Sequence, residues 1–83
     1  MIHVGWDWAS RSHEVTVIDQ TGRVIDRWSL AHTETAIGDT IRRLSRHGQP
    51  ASVEVAIEAS NGLIVDRLLE AGHPVVPDPP QRF

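Results

Sequence analysis

What most constrains the fold of this chain is the order in which its hydrophobic period changes. From Ile2 to Trp8 the residues alternate: Ile2, Val4, Trp6 and Trp8 fall on one side, and His3, Gly5 and Asp7 on the other. That two-residue period belongs to a strand. The run His13 to Asp19 repeats the signal through Val15, Val17 and Ile18, "DQTG" supplies turn chemistry at Gly22, and "RVIDRWSLA" continues with branched and aromatic residues. Residues 2 to 31 are therefore expected to form a three-stranded antiparallel meander. The period then turns helical, with Ile37, Ile41 and Leu44 at i, i+4 and i+7, Thr33 or Thr35 placed as a cap, and Gly48 and Pro50 as a stop. A helix is expected from about Glu34 to His47, with Asp39 and Arg43 spaced for an i, i+4 ion pair.

Alternation returns in "ASVEVAIEAS", where Val53, Val55 and Ile57 stand opposite Glu54, Ala56 and Glu58. "SNG" opens a second helix carrying Leu63, Ile64, Leu68 and Leu69, which Gly72 and Pro74 close. "PVVPD" reads as a short fifth strand, and Pro79 and Pro80 argue against regular structure beyond it. The order β-β-β-α-β-α-β implies an α/β protein with a mixed sheet: strands 1 to 3 antiparallel, strands 4 and 5 added in parallel through right-handed crossovers. Strand 4 beside strand 1 gives the order 3-2-1-4-5, the arrangement of the ribonuclease H-like fold.

With 83 residues, 40% of them hydrophobic, the chain has enough apolar surface for one small core and little margin for two. The absence of cysteine excludes disulfides, thiolate metal sites and a catalytic thiol. No apolar run approaches the ~20 residues of a membrane span, and the N-terminus lacks the features of a signal peptide. A soluble, cytoplasmic protein is expected. A formal net charge of -3 gives no broad attraction to a phosphate backbone, so any nucleic-acid affinity needs support from elsewhere in a longer protein.

In that sheet order Asp7 and Glu58 approach the same end of neighbouring strands. Two adjacent carboxylates near apolar neighbours repel each other and raise each other's pKa unless a cation or proton neutralises them. Mg²⁺ suits such a pair, since it takes hard oxygen ligands, commonly one or two carboxylates with water and substrate phosphate. Two such ions promote phosphodiester cleavage. Simpler readings stay open. An aspartate at a strand end also caps turns or faces solvent, and Glu58 before "ASNG" also suits a solvated position near a helix N-terminus.

"VGWDWASRSHEVTVIDQTGRVI" followed by "VAIEASNGLIVDRLLEAGHPVVPDPPQRF" resembles the N-terminal RuvC-like domain of the DEDD transposases, insertion-sequence recombinases that use a bridge RNA. The resemblance covers essentially the whole chain and implies that residues 1–83 are the N-terminal part of a single, incomplete RuvC-like catalytic domain. It matches Asp7 to the first acid of the family's tetrad and Glu58 to the second. The Asp-x-x-Asp pair that supplies the other two has no counterpart here, nor has the serine-bearing C-terminal domain, so neither Ser10 nor Ser12 takes that role. The resemblance further implies Mg²⁺, two ions in a complete site, with DNA, a guide RNA and a homo-oligomer as partners. It implies DNA strand cleavage and transfer by the longer protein, and a fragment that is inactive alone.

Arg42, Arg43 and Arg46 form a basic patch along the first helix that suits phosphate contact, or a solvated face with local ion pairs. Trp6 and Trp8 suit a core better than base stacking, Trp28 suits core or edge packing, and His13 is expected to be exposed at a strand start. His3, His32, His47 and His73 show no metal-ligand spacing. Two other readings remain: an actin-like sugar or acetate kinase, whose phosphate loop Trp8 and Ala9 would obstruct, and a non-catalytic dimerisation module with an incidental acidic pair.

Overall fold

The computed structural model describes residues 1–9, 11–58 and 62–77, and their side chains except at positions 8 and 9. Strands β1 (Ile2–Ala9), β2 (Ser12–Ile18) and β3 (Val24–Ala31) are followed by α1 (Glu34–Leu44), β4 (Val53–Ile57), α2 (Gly62–Glu70) and β5 (Val75–Pro77). The sheet order is β3-β2-β1-β4-β5. β1, β2 and β3 pair antiparallel, while β4 lies parallel to both β1 and β5. The expected α/β architecture and strand order are therefore those observed, compatible with the ribonuclease H-like fold.

Both crossovers travel the same way across the sheet, so right-handed connections put α1 and α2 on one face. The alternating strands supply that face with Val4, Trp6, Val15, Val17, Val53, Val55 and Ile57, which form one buried cluster with Ile37 and Leu44 of α1 and Ile64 and Leu68 of α2. The opposite face carries His3, Gly5 and Asp7 of β1, Glu14 and Thr16 of β2, Arg27 and Ser29 of β3, and Glu54 and Ala56 of β4. No described helix covers it.

Local chemistry sets the element ends. Asp19 closes the β2–β3 hairpin, its carboxylate accepting from Thr21 Oγ1 (2.6 Å), Thr21 N (2.9 Å) and Arg23 N (3.1 Å). These bonds, the Thr21 hydroxyl first, hold its carboxyl below the usual range. Gly22 takes φ 88° in that turn, a conformation costly for other residues. Thr33 caps α1 by accepting from Ala36 N (3.1 Å). Gly72, at φ 92°, ends α2 with His73 N donating to Leu68 O (3.0 Å). Ser60 and Asn61, expected to open α2, and Pro79 and Pro80 lie outside the described residues.

Three local expectations change. The α-helix stops at Leu44, and Ser45–His47 continue as a 3-10 turn. Asp39 pairs with Arg42, three residues on, because Arg43 faces β3 and is taken by Asp26. His13 is buried rather than exposed: β2 begins at Ser12, so His13 shares the inward parity of Val15 and Val17. Its Nε2 hydrogen-bonds His32 Nδ1 (2.8 Å), and it meets Trp6 edge-on. Burial, then the nearby His32, lowers its pKa.

Candidate functional site

The parallel ladder between β1 and β4 runs from Ile2↔Val53 to Trp6↔Ile57. Asp7 and Glu58 are each the next residue, so the two acids follow the last pair at the same, C-terminal end of adjacent strands. Paired residues of parallel strands face the same side. His3 Nδ1 shows this lower down the same ladder by donating to Glu54 Oε1 (3.3 Å) across the open face. Asp7, on the open face of β1, and Glu58, which follows β4, are both exposed. The sheet therefore brings together two acids that are remote in sequence.

β2 adds a third acid to the neighbourhood. Glu14 pairs directly with Asp7 in the antiparallel register. Its Oε1 accepts from Arg27 Nη2 (2.5 Å) and Nε (3.1 Å), which offsets the repulsion between carboxylates on neighbouring strands. No motif marks Glu14 or Arg27 in the sequence. Only the strand register, with Asp7 opposite Glu14 and Glu14 opposite Ser29, finds them.

The donor chemistry at Asp7 and Glu58 fits a hard divalent cation. Both offer carboxylate oxygens, the ligands preferred by Mg²⁺ over softer metals, and their exposure leaves room for water and a phosphate to complete an octahedron. Among the described residues no group of three or more His, Asp or Glu converges as a complete metal site. The pair therefore fits as part of a centre.

The arginines of α1 lie on the helix side of the molecule, where two of them have local partners. Arg42 pairs with Asp39. Arg43 donates to Asp26 through Nε (3.0 Å) and Nη2 (2.6 Å) and stacks over Trp28, 4.0 Å from the ring centroid. His47 Nε2 also donates to Asp26 (3.0 Å). Arg43 above all, with support from His47 and Arg27 N, lowers the Asp26 carboxyl to about 2. This network fastens the edge strand β3 to α1. Arg46 is exposed in the turn that follows.

Residues 4–83 match the family profile of the IS110-type DEDD transposases, described as transposase. The chain belongs to that family. Within it, this IS110-type domain is similar to a Streptomyces coelicolor protein assigned as the mini-circle transposase for IS117, at 32% identity over 69 residues, or 81% of this chain. Those residues span 17% of that relative's length, so the IS110-type domain corresponds to a small part of such a protein. The family assignment supports the transposase reading of the sequence and leaves the kinase alternative without support. Among the described residues no helix of the IS110-type domain is long and apolar enough to cross a membrane.

Proposed function

We propose that this chain is the N-terminal part of the catalytic domain of a DNA transposase, in which Asp7 and Glu58 contribute to a Mg²⁺ centre that cleaves and transfers DNA strands. The single observation that supports this is the parallel register of β1 and β4, whose last pair, Trp6↔Ile57, is followed on each strand by one of the two acids, both of them exposed. When bound, the metal supplies Lewis-acid stabilisation of phosphate oxygens and activation of water. The chain's own residues do the positioning. β1 and β4 are central strands whose other face is buried, so the carboxylates are held on a rigid support. Their exposure admits a phosphodiester backbone, and their charge opposes its approach until a cation is bound.

With two acids of the four that the family resemblance implies, residues 1–83 are expected to bind metal weakly and to be inactive alone. The remaining acids, a guide RNA and further copies of the protein complete the cytoplasmic assembly in this reading. The test is a Mn²⁺ titration followed by amide broadening in NMR spectra. Broadening centred on residues 7 and 58, and weakened by Asp7→Asn and by Glu58→Gln, is the expected result. A folded chain in which Mn²⁺ broadens neither position would remove the metal role. Translation of the reading frame beyond Phe83 offers an independent check, through the presence or absence of an Asp-x-x-Asp pair.

A further inference from the structure

The open sheet face is asymmetric about the acidic pair. Towards β5, β4 presents Ala56, paired with Val76. Towards β3 the neighbours are Glu14, Thr16, Arg27 and Ser29. Arg27 is paired with Thr16, yet its side chain leans one row along the sheet to meet Glu14, the residue opposite Asp7. The cation is therefore drawn towards the row that holds Asp7.

The geometry of the pair leaves Arg27 with binding capacity. A guanidinium has five N–H donors in a planar fork. Glu14 takes one from Nε and one from Nη2, and the Arg27 side chain is 65% exposed. The rest of the fork faces solvent. β3 lies two strand spacings, about 10 Å, from β1, which puts Arg27 within reach of a phosphate next to one that the carboxylates would hold.

We propose that Arg27, oriented by Glu14, is a phosphate-binding residue that directs a DNA strand across β2 and β3 rather than over β5. This rests on the reading of the open face as the DNA-cleaving site, and it goes further by assigning the side from which the backbone enters. Glu14 is a positioning residue, holding the guanidinium near Asp7 while cancelling part of the local negative charge. Arg27 is a better match to the phosphate than a lysine would be, because its planar fork serves a carboxylate and a phosphate at once.

The experiment is fluorescence anisotropy of a labelled duplex DNA titrated with the full-length transposase that carries this domain in Mg²⁺, repeated from about 50 to 200 mM salt, the range used to count phosphate contacts. Wild type, Arg27→Ala, Arg27→Lys, Glu14→Gln, the Glu14→Gln/Arg27→Ala double variant and Asp7→Asn are compared after thermal unfolding has shown each to be folded. Arg27→Ala is expected to weaken binding roughly five- to tenfold and to flatten the slope of log K against log salt by about 0.9, one phosphate contact. Arg27→Lys keeps the slope and loses part of the affinity. Glu14→Gln keeps the slope with a smaller loss, and the double variant binds as weakly as Arg27→Ala.

If Arg27 only neutralises Glu14, the double variant regains wild-type binding, and the proposal is overturned. It is overturned as well if Arg27→Ala binds with unchanged affinity and slope while Asp7→Asn abolishes the Mg²⁺ dependence, an outcome that leaves the metal-site reading standing. A full-length transposase carrying this domain that shows no Mg²⁺-dependent DNA binding would remove both.

Discussion

On the helix-covered face of the sheet, β1 contributes Val4 and Trp6 and β4 contributes Val53, Val55 and Ile57, all 3% exposed or less. On the other face the same two strands carry His3, Gly5, Asp7, Glu54 and Ala56, and lead to Glu58. The difference lies in what each face does with polar groups. On the covered side several polar groups have partners: Trp28 Nε1 donates to Thr40 Oγ1 (3.1 Å), His73 Nδ1 donates to Val53 O (3.0 Å), and Asp26 is gripped by Arg43 and His47, while the Trp6 indole N–H is buried with no hydrogen-bond partner among the described residues. Unpartnered, each would cost about 1–3 kcal/mol. On the open side Asp7 and Glu58 are exposed, so their carboxylates burden the fold little.

That contrast can be broken most forcefully at Trp6. Trp6→Ala should destabilise the chain by about 3–5 kcal/mol, because it empties the space between sheet and helices. Chemical denaturation would measure it, and a loss below about 1 kcal/mol would show that the covered face is not the core. Asp26→Asn comes next, with an expected loss on the order of 1–2 kcal/mol at neutral pH. The folded carboxyl titrates at about 2 against 3.8 unfolded, so its stabilisation is complete above about 4 and disappears as pH falls towards 2. The gap between wild type and variant should close over that window, whereas a constant gap would assign the loss to packing.

His13 gives the opposite end of the same logic. Its folded pKa is lowered from 6.5, so protonation favours the unfolded chain, and its contribution is retained above 6.5 and lost as pH falls below it. NMR titration of the imidazole should show its midpoint below that of an exposed histidine. Thr33→Ala, which removes the α1 cap, should cost about 1 kcal/mol. The smallest effect belongs to the open face: Gly5→Ala places a Cβ where no atom lies within 4 Å, at a backbone angle outside the positive-φ region. It should be neutral or stabilising by up to about 1 kcal/mol, and a clear loss would mean that something covers that face.

Much of this was legible in the residues themselves, for identifiable reasons. The two-residue period of Val4 and Trp6 or of Val53, Val55 and Ile57, and the helical spacing of Ile37 and Leu44, are local signals that burial on one face enforces. Asp7 and Glu58 could be singled out because the element order restricts the topology, and the topology sets which strand ends adjoin. Side-chain partners were less visible. Asp39 faced two arginines at workable spacings, and the choice of Arg42 depended on Asp26 claiming Arg43 from another element. His13 looked like a strand-end residue until the start of β2 at Ser12 gave it inward parity.

By itself, then, the sequence determined the element order, the mixed sheet 3-2-1-4-5, the apolar residues that cover one face and the membership of a transposase family. The element order and sheet follow from periodicity and turn chemistry, which act over a few residues, and from the small set of connections that a right-handed chain permits, whereas the family follows from the match of residues 4–83 to its profile. Tertiary structure alone decided that Glu14 stands opposite Asp7, that Arg27 leans towards it, and that Asp26 gathers Arg43 and His47. Such contacts depend on register across strands and on helix placement over the sheet, where a shift of one residue sends every side chain to the other face.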